Sequence, residues 1–176
     1  MIEYASNGSE STRGKKVAIS GSGNVAQYAA IKAINVGAVV FTLSDSKGLL
    51  KAVSEEGFTK DDIALVASIK KKRLPLSDIM AMEQGQRFEY LEGERPWKHV
   101  KEVDIALPSA TQNEMSKDDA EALMYAGCRF IAEGSNMGCA QDAIQLFESC
   151  RADSPNGRVW FAPGTLVTLS SVSSTR

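Results

Sequence analysis

Residues 16–26 of this chain read Lys-Val-Ala-Ile-Ser-Gly-Ser-Gly-Asn-Val-Ala, an apolar run followed by a turn of the form G-x-G-x-x-A. A helical pattern follows at once, with Val25, Ala29 and Ala33 along one face. Strand, glycine turn and helix in direct succession form the context in which this turn binds dinucleotides. In that role Gly21 allows the tight turn, and Gly23 lets the backbone approach a pyrophosphate at the helix N-terminus.

The composition is that of an ordinary globular protein. The chain has 176 residues, a length suited to one domain, with 43% hydrophobic and 24% charged residues. Its net charge of −2 gives no general attraction to nucleic acid or to anionic membranes. No apolar stretch is long enough to span a bilayer, and residues 1–4 do not resemble a secretion signal. We therefore expect a cytoplasmic location, with neither nucleic acid nor membrane as a partner.

Short apolar runs alternate with helical patterns along the rest of the chain. Strands are predicted over about 16–20, 38–43, 103–107, 129–132 and 159–162. Helices are predicted over about 24–36, 60–73, 117–126 and 140–150. Thr59 and Ser116 are predicted N-caps, and Ser77 is predicted to cap a further short helix. This alternation predicts an α/β fold with one doubly wound, mostly parallel sheet of the Rossmann type in a single domain.

The two ends of the chain differ from this pattern. Residues 1–13 are polar and contain a turn signal, so they are predicted to end a preceding element. Residues 165–176 are rich in Ser and Thr and lack acids. A frayed tail is expected there, with an edge strand as the alternative. The dinucleotide-binding domain is thus predicted over 14–164.

The side chains after the second strand bear on the choice between NAD and NADP. Asp45 follows the glycine turn at about the separation at which an acid meets the adenosine ribose in this fold. Alone it favours NAD, because a carboxylate repels a 2′-phosphate; a solvated turn aspartate is the alternative. Ser46, Lys47 and Lys70 favour NADP, since a hydroxyl and cations can hold that phosphate. For the cationic run 70–73 the alternative is a solvated helix end.

Two further strand ends carry polar residues. Residues 107–113 read Leu-Pro-Ser-Ala-Thr-Gln-Asn, and residues 132–137 read Ala-Glu-Gly-Ser-Asn-Met. Ligands of open α/β sheets bind outside the carboxyl ends of strands, so both segments are expected to meet the glycine turn at one edge. Asn136 offers an amide that suits a ribose hydroxyl or a carboxamide. Each segment taken singly is more typical of a loop cap.

Two other motifs are assigned structural roles. Tyr28 and Lys32 fit the Y-x-x-x-K pattern of short-chain dehydrogenases, but they lie inside the first predicted helix, away from the nicotinamide end. His99 could act as an acid or base because its pKa lies near neutrality. No Ser, Cys or Asp partner is visible near it, which favours a structural histidine. We therefore predict no catalytic residue in this chain.

The cysteines are predicted to be free thiols. Cys128, Cys139 and Cys150 are evenly spaced, without a C-x-x-C pair, and His99 is the only histidine. A zinc site would therefore lack its usual ligands at usable spacing. No metal site is predicted.

Seven stretches of this sequence recur together, in the same order, in one known family. They are residues 17–29, 43–46, 95–97, 104–108, 110–114, 132–137 and 161–164. Because of these stretches, the chain closely resembles the cofactor domain of NADP-dependent glutamate dehydrogenases of fungi and bacteria over about residues 1–164.

The resemblance implies the reversible oxidative deamination of L-glutamate to 2-oxoglutarate and ammonium, with NADP as the cofactor. It implies that Asn24 and its neighbours bind the diphosphate, that Ser46 and Lys70 receive the 2′-phosphate, and that Asn136 lies at the nicotinamide ribose. The cofactor-binding residues predicted from motifs and resemblance together are Gly21, Ser22, Gly23, Asn24, Val25, Asp45, Ser46, Lys70, Ala110, Thr111, Gln112, Gly134 and Asn136.

The departures from the family lead to a further expectation. A family subunit also has an N-terminal substrate domain with the catalytic lysine and aspartate, and nothing in this sequence matches it. After residue 164 the family continues through an Ala-Asn-rich segment, where this chain has its Ser/Thr tail. We therefore expect a truncated product that is inactive alone. The alternative is a non-catalytic module that binds NADP(H) or associates with full-length subunits.

Overall fold

A computed structural model describes Gly8, residues 10–153 and residues 159–164, with the backbone alone at 151–153. Its strands are β1 (Lys16–Ile19), β2 (Val39–Ser44), β3 (Gly48–Ala52), β4 (Phe88–Glu92), β5 (Ile105–Leu107), β6 (Phe130–Ala132) and β7 (Trp160–Ala162). Its α-helices are α1 (Asn24–Asn35), α2 (Lys60–Lys71), α3 (Lys117–Tyr125) and α4 (Gln141–Asp153). Short 3-10 helices span Leu76–Ala81, Glu83–Arg87 and Pro96–Lys98. The predicted tail 165–176 and most of the predicted segment 1–13 lie outside the described residues.

The strands form one sheet in the order β4-β3-β2-β1-β5-β6-β7. Strands β1, β2, β5, β6 and β7 are parallel, while β3 and β4 are antiparallel to their neighbours. The prediction of a mostly parallel α/β sheet is confirmed. The chain moves outward from β1 to β4 and then returns to the other side of β1 with β5. Strands β1 and β5 therefore form the switch point at which ligands bind in sheets of this kind.

Helices cover both faces of the sheet. Helices α1 and α2 pack on one face over β1, β2 and β3, and helices α3 and α4 pack on the other. Ala26, Ala30 and Ala33 form the buried side of α1. Because these side chains are small, the helix lies close to the sheet and brings its N-terminus to the end of β1.

Two of the predicted helix caps are confirmed. Thr59 begins α2, with its hydroxyl accepting from the Asp62 amide while the Asp62 carboxylate accepts from the Thr59 amide at 2.7 Å. Ser116 and Asp119 begin α3 in the same reciprocal way. Each of these reciprocal pairs is a capping box, which satisfies two of the amides that a helix start leaves without a helical acceptor.

The prediction that Ser77 caps a short helix is wrong. The 3-10 helix over Leu76–Ala81 has Pro75 at its N-cap, and no side chain of the cap residue bonds to it. The Leu76 amide instead donates to Asp45 Oδ2 at 2.9 Å. An aspartate at the end of β2 therefore caps this turn from a distance.

Strands β3 and β4 were not predicted. β3 has the sequence Gly-Leu-Leu-Lys-Ala, which contains no β-branched or aromatic residue and no alternation. Its leucines are nevertheless fully buried, because β3 lies between β2 and β4. Tertiary position, and not local propensity, makes this segment a strand.

Candidate functional site

A cavity of about 520 Å³ opens where β1, β2 and β5 end, at the switch point of the sheet. Its walls come from the glycine turn, the turn after β2, the end of α2, the turn after β4 and the loop after β5. Among the predicted cofactor-binding residues, it is lined by Gly21, Ser22, Gly23, Asp45, Ser46, Lys70, Ala110 and Thr111.

The glycine turn forms the floor of this cavity. Gly21 has a φ of 82°, and a Cβ placed on it would lie 2.8 Å from the Ser109 carbonyl oxygen. Its amide donates to the Ser44 hydroxyl at 2.9 Å, which ties the turn to the end of β2. Only glycine combines this left-handed backbone with so close an approach of the neighbouring loop.

Gly23 faces open space. A Cβ on this residue would meet no atom within 4 Å, although the residue lines the cavity. Gly23 is also the N-cap of α1 and provides no side chain to cap it. The first amides of α1 therefore have no helical acceptor and lie at the positive end of the helix, an arrangement that favours an anion.

Asp45 lines the cavity, but both its carboxylate oxygens already accept hydrogen bonds from the backbone. Oδ1 accepts from the Lys47 and Gly48 amides at 2.9 and 3.2 Å, and Oδ2 accepts from the Leu76 amide at 2.9 Å. These bonds shape the tight turn between β2 and β3 and leave Ser46 exposed at its tip. Asp45 is therefore a half-buried structural acid of the turn, and its charge is offset by three peptide dipoles.

Two cations line the same cavity. Lys70, at the end of α2, is half-buried and forms no ion pair or hydrogen bond with another described side chain. Arg95, in the turn after β4, donates from Nη1 to the Glu114 carbonyl oxygen at 2.7 Å. That turn packs on the turn after β2, because the Gly93 amide donates to the Lys47 carbonyl oxygen at 2.7 Å. The same cavity is thus lined by two cations and by Ser46.

One acid of the cavity wall is buried. Glu114 is 4% exposed, and its Oε1 accepts from the Ala110 amide at 2.9 Å. Burial raises the pKa of this carboxyl above its usual range, although the Ala110 amide and the Ser20 hydroxyl act to lower it. A carboxylate in such a place is costly unless it is hydrogen-bonded, so its bonds to the loop matter for the shape of the site.

The remaining predicted residues lie at the same edge of the sheet but do not line the cavity. Asn24, Val25, Gln112 and Asn136 are exposed there. Gly134 packs inward, because a Cβ on it would overlap the Ser109 hydroxyl. Its role in the described structure is close packing between the loops after β5 and β6. Those loops are further joined by hydrogen bonds from the Gly134 and Asn113 amides.

The sequence model of the Glutamate/Leucine/Phenylalanine/Valine dehydrogenase family matches residues 1–174. This chain belongs to that dehydrogenase family. An NADP-specific glutamate dehydrogenase of Tuber borchii is 54% identical over 165 residues, which cover 93% of this chain and 36% of that protein. The enzyme of the same name from Botryotinia fuckeliana is 55% identical over 164 residues, 93% of this chain and 35% of that protein. The chain thus spans about a third of the length of these fungal relatives.

Solved structures agree with this membership of the dehydrogenase family. A glutamate dehydrogenase of Plasmodium falciparum superposes with a TM-score of 0.83 at 28% identity, over 98% of this chain and 34% of that one. Glutamate dehydrogenase 2 of the same organism superposes with a TM-score of 0.82 at 32% identity. The fold described above is therefore the fold of part of a glutamate dehydrogenase.

The rejected candidates for catalysis do not line the cavity. Tyr28 is 73% exposed on α1, and Lys32 is exposed on the same helix. His99 has a partner that sequence analysis did not identify, because its Nε2 lies 2.8 Å from Glu94 Oε2. Glu94 lines the cavity and His99 does not, so the imidazole contacts a lining residue from outside the cavity.

The cysteines are free thiols, as predicted. Burial raises the pKa of Cys128 to about 12, and burial also raises the pKa of Cys139. Within the described residues, no group of three or more histidine, cysteine or acidic side chains is placed to hold a metal ion. In the same part of the chain, no helix has the length and apolar character needed to cross a bilayer.

Sequence analysis missed Glu114, Arg95 and Ser44 as parts of the site. Ser44 directly follows a predicted strand and Arg95 precedes a proline, features that predict local structure only. Glu114 follows a polar loop, and nothing in its neighbours indicates that it is buried. All three reach the cavity because distant strands lie side by side, and this neighbourhood has no signature within a short window of sequence.

Proposed function

We propose that this chain is the NADP-binding part of a glutamate dehydrogenase and that it does not turn over glutamate by itself. In the whole enzyme the reaction would convert L-glutamate, NADP and water to 2-oxoglutarate, ammonium and NADPH. The observation that carries the proposal is one cavity lined by the glycine turn, by Ser46 and by Lys70, which pairs with no other side chain that the structure describes.

The residues present fit a dinucleotide with a 2′-phosphate. The open space at Gly23 and the uncapped start of α1 suit a diphosphate. Lys70 and Ser46 can hold a further phosphate by charge-assisted hydrogen bonds. The sequence leaves Asp45 as either a ribose-binding acid or a turn aspartate. Its carboxylate accepts hydrogen bonds from backbone amides, so it repels a 2′-phosphate less than a free acid would. When bound, NADP would supply the hydride acceptor; the chain's residues bind and orient it.

The substrate side of the reaction is proposed to lie in the remainder of a full subunit. The fungal relatives are nearly three times as long as the stretch matched here. Hydride transfer needs the substrate carbon held against the nicotinamide, and such positioning accounts for many orders of magnitude in rate. Of the three acids that line the cavity, Asp45 and Glu114 accept hydrogen bonds from backbone amides, and Glu94 pairs with His99.

Cofactor choice tests the proposal. Calorimetric titration of the wild-type chain should show tighter binding of NADPH than of NADH. Lys70→Ala should weaken NADPH about ten- to a hundredfold, because it removes a charge-assisted phosphate bond, and leave NADH nearly unchanged. Lys117→Ala is the matched control, since that lysine is exposed on α3 and, within the described part of the chain, its ion pair is with Glu121. Equal weakening of both nucleotides by Lys70→Ala would show that Lys70 acts on stability alone.

An alternative role is a non-catalytic module that associates with full-length subunits, and its support is again the partial coverage of the relatives. Two measurements separate the roles. Glutamate-dependent NADPH formation by the purified chain should be absent, and substantial turnover would refute the first proposal. Co-purification with a tagged full-length relative would favour the module. A cytoplasmic location remains a proposal and is open to fractionation of cells that express the chain.

A further inference from the structure

Glu114 closes a ring within the loop that forms one wall of the cavity. Its carboxylate reaches back four residues to the Ala110 amide at 2.9 Å. The turn that allows this passes through Asn113, whose φ of 51° lies in the left-handed region that asparagine tolerates. Ala110, Thr111 and Glu114 all line the cavity, so the ring is part of the site itself.

The ring is anchored on both sides. Before it, the Ser109 amide donates to the Ser20 hydroxyl at 2.9 Å, which fixes the loop to the end of β1. After it, the Met115 amide donates to the Gly138 carbonyl oxygen at 3.1 Å. Arg95 holds the Glu114 backbone from the turn after β4. Within the ring, the Asn113 amide also donates to the Met137 carbonyl oxygen at 2.8 Å, and the Glu114 carboxylate adds the charged contact that holds Ala110.

We propose that Glu114, held by Arg95, is a positioning residue of the nucleotide site, and that its ionised carboxylate fixes the 110–113 loop in the binding geometry. This inference rests on the proposed function, since it concerns the same cavity. An ionised carboxylate has acceptors only, which matches the donors that face it. In the same volume a protonated acid presents one O–H donor and an amide presents two N–H donors, and a donor that faces the Ala110 amide meets another donor.

The charged and titratable groups near this carboxylate set its response to pH. Arg95 approaches it from the turn after β4, and the Cys139 thiol lies near it in the segment after β6. Arg95 lowers the pKa of Glu114, whereas burial raises it above the usual range and outweighs the other effects. The geometry that binds nucleotide is therefore present above this pKa and is lost as the pH falls through it.

The test compares the pH dependence of NADPH affinity, measured by calorimetry between pH 5 and 8, in matched variants. Glu114→Gln keeps the volume and removes the charge; Glu121→Gln removes one charge from the exposed surface of α3. Glu114→Gln should weaken NADPH about tenfold at pH 8, the loss expected for one charge-assisted bond. It should also lack the fall in affinity at low pH that wild type and Glu121→Gln share. Titration of the ligand phosphate is common to all three proteins, so the difference reports the carboxylate.

Arg95→Ala provides a second test, because the direction of its effect on the pH profile can be predicted. Removing the guanidinium raises the pKa of Glu114 further, so the midpoint of the affinity profile should move to higher pH, even if Glu114→Gln fails to fold. Identical profiles in wild type, Glu114→Gln and Arg95→Ala would overturn the inference while leaving the proposed function intact. A wild-type chain that binds no NADPH at any pH would refute the proposed function and this inference with it.

Discussion

Substitutions at the two glycines of the turn should separate effects on nucleotide binding from effects on the stability of the fold. Gly21 and Gly23 are two residues apart, yet their surroundings are opposite. A Cβ on Gly21 lies 2.8 Å from the Ser109 carbonyl oxygen at a φ of 82°, whereas a Cβ on Gly23 meets nothing within 4 Å. We therefore expect Gly21→Ala to act on the fold and Gly23→Val to act on the ligand.

The magnitudes follow from these contacts. For Gly21→Ala, left-handed backbone strain costs about 1–2 kcal/mol and the overlap with Ser109 about 1–3 kcal/mol, so roughly 2–5 kcal/mol is expected. For a domain of this size that lowers Tm by roughly 4–20 °C. Gly23 has a φ of −76°, which any L-residue adopts, so Gly23→Val should cost only about 1 kcal/mol through the weaker N-cap. Its branched side chain would occupy the space where a diphosphate approaches α1.

The assay pairs thermal unfolding with calorimetric titration of NADPH. Gly127→Ala is the control for strain alone, because its φ is 91° and its nearest neighbour would lie 3.9 Å away. We expect the Tm order wild type, Gly23→Val, Gly127→Ala, Gly21→Ala, with nucleotide binding lost in folded Gly23→Val. A folded Gly23→Val protein that binds NADPH as tightly as wild type would refute the reasoning, and so would a Gly21→Ala protein as stable as Gly127→Ala.

Three further outcomes are expected. Asp45→Asn replaces one acceptor that backbone amides require, so it should cost about 1–3 kcal/mol; an unchanged Tm would show that these bonds are dispensable. Thr59→Ala should lose about 1 kcal/mol with its cap while NADPH affinity is kept, and Thr59→Ser should restore the stability; failure of that rescue would count against the capping box. With a thiol reagent at pH 8, Cys150 should react quickly, whereas Cys128 should react about a thousandfold more slowly than an ordinary thiol, because burial raises its pKa to about 12. Cys139 should also be slow, and three equally fast thiols would contradict the buried packing of both residues.

Local patterns in the sequence were enough to predict the central part of the fold. The β1–α1–β2 unit was predicted because an apolar run, a glycine turn and a helical face follow one another without interruption. The caps at Thr59 and Ser116 were predicted because a hydroxyl residue directly precedes each helical pattern. Eight predicted binding residues line one cavity, since the carboxyl ends of parallel strands meet at one edge.

The features that were missed depend on residues far apart in the chain. Leu76 is capped by Asp45, 31 residues earlier, so the nearer Ser77 was wrongly assigned the cap. Ser109 is anchored by Ser20, 89 residues earlier, and this contact sets the frame in which Glu114 is buried. Strand β3 is a strand because its neighbours pair with it. Such facts are properties of the assembled sheet and have no short sequence signal.

The order of the strands also has a consequence for how the chain assembles. Strands β1 to β4 can pair largely with near neighbours, but β5 must find β1 across a long intervening segment: Lys16 and Asp104, which bond at this seam, are 88 residues apart. Closing such a loop is slow, so docking of the second half is expected to be the late step in folding. The cavity straddles that seam, with the glycine turn on one side and the 110–113 loop on the other. A bound nucleotide would therefore contact both halves of the polypeptide and hold them together. The unfolding rate should fall as the nucleotide concentration rises.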